Sequence, residues 1–390
     1  MNKLNRIFYG PAGTGKTRRA IAKAVEIITE SSSVETKFDN TEYQYTIENL
    51  KLFTKLPELP TKINNKIIQK IQNLSISVDN VVNTLTFNDL KALVGDVQQA
   101  RDKAKKVIAE YRVYPLIEMV TFHPSYSYQD FVEGITVETN REINDIEYTV
   151  KDGVFKKICK RAIDNPSYNY VLIIDEINRG DISSIFGELF TLLEDNKRKG
   201  KEEELSVNLP YSKDEKGNPQ KLSVPKNLYI LATMNTVDKS IALIDVALRR
   251  RFDFEECMPN ANLAELKQYA NVDLPKLLTT INERITILKN ENYQIGHSYF
   301  LNITNFDELK VVMEKSIVPL LQEYFYDDWQ SICAVLNQNY KKPKKGFLIT
   351  KQNDKNIFKD EFKELIEYSN KKIFKINQEF TEQDIIDIYK

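Results

Sequence analysis

Gly10-Pro11-Ala12-Gly13-Thr14-Gly15-Lys16-Thr17 follows the spacing G-x-x-x-x-G-K-S/T. Glycines so spaced let backbone N–H groups curl around a polyphosphate, the lysine reaches the outer phosphates, and the Thr17 hydroxyl is a ligand for Mg²⁺. Such a cradle binds a nucleotide but hydrolyses nothing by itself. A metal carboxylate and a base come from Val171-Leu172-Ile173-Ile174-Asp175-Glu176, an apolar run ending in two acids. Asp175 is placed to hold Mg²⁺ and Glu176 to polarise the attacking water as general base. Met234-Asn235, after the apolar stretch Leu228 to Thr233, adds an uncharged amide able to hold the lytic water without competing for the metal. A turn-forming Asn is the plainer reading of that position. Finally, Arg249-Arg250-Arg251 stand together after Asp245 to Leu248. They either neutralise a helix C-terminus or supply a finger in trans, with Arg250 slightly ahead of Arg249. A finger in trans implies an oligomeric ring built through heterologous contacts.

These groups need an α/β scaffold to position them. Leu4 to Tyr9 reads as a strand running into the glycine loop, and Lys16 to Thr29 carries Ala20, Ala24 and Ile27 or Ile28 at helical spacing. Strands are expected at Ile117 to Phe122, Tyr170 to Ile174 and Leu228 to Thr233, and helices at Val154 to Ile163 and Ile182 to Leu193. That alternation predicts a parallel sheet sandwiched by helices. Residues 31–114 break the rhythm and read as a mainly helical insertion. In it, Ile63, Ile67, Ile68, Ile71 and Leu74 share one helical face, and Val97, Ala100, Ala104, Val107 and Tyr111 another. Packing on the sheet domain is the favoured role for these helices, and a partner-binding arm the other. Short alternating runs around Asp214 to Asn218 predict a hairpin over 205–225. The expected boundaries are a large domain at 1–258, a small helical lid at 259–335, through Leu263 to Leu288 and Phe306 to Tyr326, and an extension of that lid at 336–390.

Composition narrows the class. The 390 residues suffice for two domains, and 42% hydrophobic with 28% charged residues is ordinary for a globular protein. No apolar run approaches a membrane span, and MNKLNRIFYG has no apolar core of a leader, so the expected compartment is the cytoplasm. A net charge of -1 exerts no whole-chain pull on nucleic acid. Cys159, Cys257 and Cys333 are too scattered for a metal site and read as core thiols.

Taken together, the motifs resemble the AAA+ motor subunits of the McrB type, from restriction systems directed at modified cytosine. The resemblance runs to about Phe325. It rests on Phe122-His123-Pro124-Ser125-Tyr126-Ser127-Tyr128-Gln129-Asp130-Phe131-Val132-Glu133-Gly134, Asp175-Glu176-Ile177-Asn178-Arg179, Met234-Asn235-Thr236-Val237-Asp238-Lys239-Ser240 and Ile295-Gly296-His297-Ser298-Tyr299-Phe300. It implies an AAA+ P-loop fold with a small C-terminal helical lid, in which Asn235 is the first sensor and Asp238 and His297 bind nucleotide. It also implies GTP in preference to ATP, with Mg²⁺, a self-assembled ring of about six subunits, and a McrC-like nuclease partner acting on DNA through that partner or the pore. Two departures stand in the third motif, where Lys239 replaces the usual Arg and loses its bidentate fork, and Val237 replaces Ala. No methylated-DNA reader fits ahead of the phosphate loop in this sequence, so the resemblance implies either a motor trimmed from a longer protein or recognition by another subunit or by the insertion. A MoxR-like chaperone ATPase is the alternative within the fold, and a nucleotide-gated assembly switch the alternative outside hydrolysis.

Overall fold

The computed structural model describes residues 4–31, 116–140, 145–237, 246–263, 266, 268–269, 271–301, 303–326, 328–341, 346–350 and 374–390. The two helical faces read in the insertion, Asp238 to Ser240 and Lys342 to Lys345 lie outside the described residues. The chain forms two compact units, one of Met1–Tyr9, Lys16–Met234 and Ser240–Glu255, the other of Gly10–Gly15, Asn235–Lys239 and Glu256–Lys390.

The first unit is built on strands β1 (Asn5–Gly10), β2 (Ile117–Thr121), β3 (Glu133–Asn140), β4 (Asp145–Asp152), β5 (Tyr170–Asp175), β6 (Val207–Lys213), β7 (Pro219–Leu222), β8 (Leu228–Asn235) and β9 (Asp253–Glu256). Five of them make the main sheet, in the order β2-β5-β8-β1-β9, with β2/β5 and β5/β8 parallel. Parallel strands are covered on both faces, which is why Tyr170 to Ile174 is an unbroken buried run and why the first polar side chain, Asp175, comes at its end. Helices Lys16–Ser31 and Val154–Asp164 both pack on β5. The edge strand β9 is tied inward by Glu255, which accepts from Arg6 at 2.7 Å and pairs with Arg19.

Asn5, fully buried at the start of β1, donates to the carbonyls of Leu193 (2.7 Å) and Arg251 (2.8 Å) and accepts from buried Arg198 (2.6 Å). Arg198 also donates to the Leu228 carbonyl at 3.2 Å. Removal from water pulls the Arg198 guanidinium down to about 10. This network joins segments almost 250 positions apart, and nothing in the local pattern announces it.

The expected helix over Ile182 to Leu193 divides. An α-helix covers Ile182–Phe186 and a 3₁₀ segment Gly187–Leu193, because Gly187 has φ +51° and leaves the α conformation. A Cβ there would stand 3.1 Å from the Tyr128 ring, whose hydroxyl donates to Glu188 at 2.7 Å.

The hairpin expected over 205–225 forms from β6 and β7. A second hairpin, β3/β4, escaped the sequence reading, although alternation through Ile135, Val137, Ile146, Tyr148 and Val150 encodes it. Those five side chains are all exposed, and their register (Ile135 to Val150, Val137 to Tyr148) puts them on one face of the ribbon. At the base of this hairpin, Glu133 accepts from Lys156 Nζ (2.6 Å), Ser212 Oγ (2.5 Å) and the backbone N–H groups of Tyr211 and Ser212 (2.8 and 3.1 Å). Lys156 also pairs with Asp152 at 2.7 Å. Burial pushes the Glu133 carboxyl up, but the bonds from Lys156, Ser212 and the two backbone groups outweigh it and hold it below its ordinary 4.5. Asp152 is held low in the same way, its two lysines outweighing burial.

Lys156→Met is therefore expected to cost about 3–5 kcal/mol in a denaturant titration, because it strands a buried carboxylate. For both acids the folded value lies below the unfolded one. Their stabilisation is complete above the ordinary carboxylate range and drains as pH falls through the folded values, so the acid unfolding midpoint should rise in the Lys156→Met chain. An unchanged acid midpoint would remove this pair from the account.

The second unit has its own core. Helix Leu274–Leu288 buries Leu274, Leu277, Leu278, Ile281 and Ile285, one face at helical spacing, and is capped by Asp273 accepting from Lys276 N. The stretch Phe306 to Phe325 is helical but passes through a π turn at Met313–Ile317 just ahead of Pro319, which has no N–H to continue an α ladder. The C-terminal segment joins this core through Phe347, Leu348, Phe374, Phe380, Ile385 and Ile388. Arg284 fastens it, donating to the carbonyls of Val335 (2.9 Å) and Ile388 (2.6 Å).

Candidate nucleotide site

In the first unit, Lys16 and Thr17 open helix Lys16–Ser31, while Asp175 and Glu176 stand where β5 ends. The Thr17 hydroxyl donates to Asp175 Oδ1 at 2.9 Å. A hydroxyl whose proton is given to a carboxylate turns its lone pairs elsewhere, so this hard-oxygen pair suits Mg²⁺, which takes one or two protein oxygens and fills its other positions with water and phosphate. Among the described residues there is no cluster of three or more His, Cys, Asp or Glu that could cage a metal, and a nucleotide-borne Mg²⁺ needs none.

Glu176 has φ +53° and ψ +47°, a left-handed conformation that costs a non-glycine residue of order 1–2 kcal/mol. Such strain persists only where surrounding bonds over-determine it. Here the Glu176 N–H donates to Thr233 Oγ1 (3.1 Å), the Asp175 carbonyl accepts from Phe122 N (3.0 Å), and the Glu176 carboxylate pairs with Arg179 Nε at 3.4 Å. Thr233, which the sequence reading passed over, also donates to Asp175 Oδ1 at 2.5 Å.

Arg249 and Arg250 are both exposed at the end of helix Val246–Arg251. They lead into β9, which β8 and β1 separate from β5 in the sheet order, about 14 Å at the usual strand spacing. Arg249 lies over the Phe254 ring at 5.4 Å, and the charge of Arg250 helps hold the Glu194 carboxyl low, after the hydrogen bond from Lys197. Arg251 is committed locally, to Glu194 at 2.8 Å and to the Phe190 ring at 4.5 Å.

In the second unit the phosphate loop, Gly10 to Gly15, lies against Ile295 to Phe300. Gly13 has φ +75°, and a Cβ on it would strike Ser298 Oγ at 2.8 Å and the Tyr299 ring at 2.9 Å, so only glycine serves. Ser298 N donates to the Gly13 carbonyl (3.0 Å), Thr236 N to that of Gly10 (3.2 Å), and the Thr14 hydroxyl to that of Pro11 (3.0 Å). His297 Nδ1 accepts from Asn260 N at 3.1 Å, which leaves the ring proton of a neutral imidazole on Nε2. That nitrogen faces the loop, 3.8 Å from where a Cβ on Gly15 would stand. Asn235 Oδ1 accepts from Val237 N at 3.4 Å, the turn-type bond open to this position. Pro11 is buried and Ala12 half-buried. His123 is exposed and meets Tyr126 edge-on, with ring centroids 5.5 Å apart. All three cysteines are buried, and burial pushes the Cys159 thiol up to about 12.

Residues 104–252 match the AAA domain of the dynein-related subfamily, and residues 273–333 match the McrB alpha-helical lid domain. The chain is 36% identical over 230 residues to the type IV methyl-directed restriction enzyme EcoKMcrB subunit of Escherichia coli (strain K12), covering 54% of this chain and 48% of that one. It is 30% identical over 159 residues to the type II restriction enzyme BsuMI component YdiS of Bacillus subtilis (strain 168), covering 35% of this chain and 46% of that one. The chain thus spans about half the length of the curated relatives it matches. It joins a match to the AAA domain, on a five-stranded sheet, to a match to the McrB lid, and is similar to AAA+ nucleoside triphosphatases of the McrB type.

Proposed function

We propose that the chain hydrolyses GTP, and ATP less readily, as one subunit of a cytoplasmic ring that drives a McrC-like nuclease on DNA in a restriction system. The observation that carries the hydrolytic part is the 2.9 Å bond from Thr17 to Asp175, which joins the last residue of the phosphate-loop motif to the first of the acidic pair. In this reading Gly10 to Gly15 offer backbone N–H groups to the phosphates, Lys16 reaches the β and γ groups, and Thr17 and Asp175 hold Mg²⁺. The metal, when bound, neutralises charge developing on the transferred phosphoryl group. Glu176 accepts the proton of the attacking water and Asn235 orients that water. Asp238 and His297 contact the nucleotide, His297 through Nε2–H, and Arg250 or Arg249 serves the site of a neighbouring subunit.

Preference for GTP rests on the resemblance of Met234 to Ser240 to the family signature, and the nuclease on the similarity to two restriction-enzyme components. The exposed apolar face of the β3/β4 hairpin supports a protein contact, since such patches mark interaction surfaces. No helix among the described residues is long and apolar enough to cross a membrane. Steady-state hydrolysis of GTP and ATP, with and without the nuclease subunit, tests the proposal. Expected are a higher kcat/KM for GTP and stimulation by the nuclease. ATP turnover indifferent to nuclease and DNA would favour a chaperone motor instead.

A further inference from the structure

We propose that Thr233 is a positioning residue for hydrolysis, its buried hydroxyl setting the Asp175 carboxylate and the Glu176 backbone as one unit. The proposal rests on the assignment of Asp175 and Glu176 to hydrolysis. The parallel pairing of β5 with β8 runs from Tyr170–Leu228 to Ile174–Ala232. One residue further, the Thr233 side chain takes over: Oγ1–H donates to Asp175 Oδ1 at 2.5 Å, and Oγ1 accepts from Glu176 N at 3.1 Å. A hydroxyl has one proton and two lone pairs, so both bonds form at once. Thr233 is 2% exposed, so water does not substitute when either bond is lost.

The consequences reach both acids. Asp175 Oδ1 takes hydroxyl protons from Thr233 on β8 and from Thr17, two elements far apart in sequence, which fixes the carboxylate plane. The Glu176 N–H is pinned at the residue whose backbone turns left-handed, φ +53°, and that turn sets the direction in which the Glu176 side chain leaves the strand. Phe122 N, one residue beyond β2, holds the Asp175 carbonyl, so the peptide between the two acids is gripped from both sides. Thr233 touches neither nucleotide nor water in this scheme and works through Asp175 and Glu176. A valine keeps the shape and the β-branched fit to the strand but supplies neither bond.

The test uses the full chain with Thr233→Val, Thr233→Ala and Thr233→Ser, measuring kcat, affinity for a fluorescent non-hydrolysable GTP analogue, and the thermal midpoint. Val and Ala should lower kcat roughly 10- to 100-fold through misplacement of the reacting groups. Analogue affinity should stay within about threefold, since loop and lysine contacts are untouched, and Ser should restore kcat to within about threefold of the parent. If the Val chain fails to fold, the Ala and Ser pair carries the comparison. Parent-like kcat in a folded Val or Ala chain overturns the proposal. So does a Ser variant as slow as Ala, or a loss confined to the thermal midpoint. Glu176→Gln, run alongside, separates the two levels: full turnover there refutes the hydrolytic assignment itself, whereas lost turnover there with unaffected Thr233 variants refutes only the positioning role.

Discussion

Glu176→Gln is expected to lower turnover roughly 10²- to 10⁴-fold while leaving nucleotide affinity near its parent value. Glutamine matches glutamate in size and reach but accepts no proton from water, so the loss falls on the chemical step. In the proposed site, binding depends on groups the substitution does not touch, namely the loop N–H groups, Lys16, Thr17 and Asp175. The substitution weakens the 3.4 Å pairing with Arg179, but both side chains are partly exposed, 47% and 27%, so the stability change should stay below about 1 kcal/mol. The left-handed backbone at position 176 should be retained, because the N–H bond to Thr233 and the bond from Phe122 N to the Asp175 carbonyl are both left in place. Phosphate release under saturating nucleotide, beside equilibrium binding of an analogue, measures the split. Unchanged phosphate release would remove Glu176 from the mechanism.

Arg250→Ala is expected to reduce hydrolysis by roughly 10³-fold, the scale of a finger that stabilises charge on the transferred phosphoryl group. Arg250 is exposed next to β9, and two strands lie between β9 and β5. The proposal places this finger in the site of a neighbouring subunit. Mixing supplies the decisive measurement. A Lys16→Ala subunit cannot use its own nucleotide but still carries Arg250, so Arg250→Ala and Lys16→Ala chains together should recover activity that neither has alone. Absence of recovery would sink the finger in trans. Arg249→Ala removes the cation–π contact with Phe254, worth about 0.5–1 kcal/mol, and a larger loss of hydrolysis there than in Arg250→Ala would make Arg249 the finger instead.

Much of the α/β frame was legible because its strands are short apolar runs bounded by breakers. Tyr170 to Asp175 and Leu228 to Asn235 could be placed to within two residues, and the β6/β7 hairpin followed from the turn around Asp214 to Asn218. The β3/β4 hairpin was encoded equally plainly by alternation and went unread, since its apolar side chains face outward and did not suggest a core strand. The break at Gly187 was not legible, because the helical apolar pattern continues through Leu189 and Leu192 while the backbone obeys the Tyr128 contact instead.

At the site, the sequence by itself determined which groups are available: a loop whose glycines admit phosphates, a hydroxyl and a carboxylate for Mg²⁺, a base one residue on, an amide, and a set of arginines. Ligand chemistry follows residue type and short spacing, both written in the chain. Only the tertiary structure decided who holds those groups in place. It brought Thr233 across from β8 to grip Asp175 and Glu176, set Gly13 against Ser298 and Tyr299, turned His297 Nε2 toward the loop, and anchored β1 through Asn5 to Arg198. Each is a contact across tens to hundreds of residues, fixed by strand order and close packing, and a buried hydroxyl such as that of Thr233 carries no mark in sequence of the carboxylate it will meet.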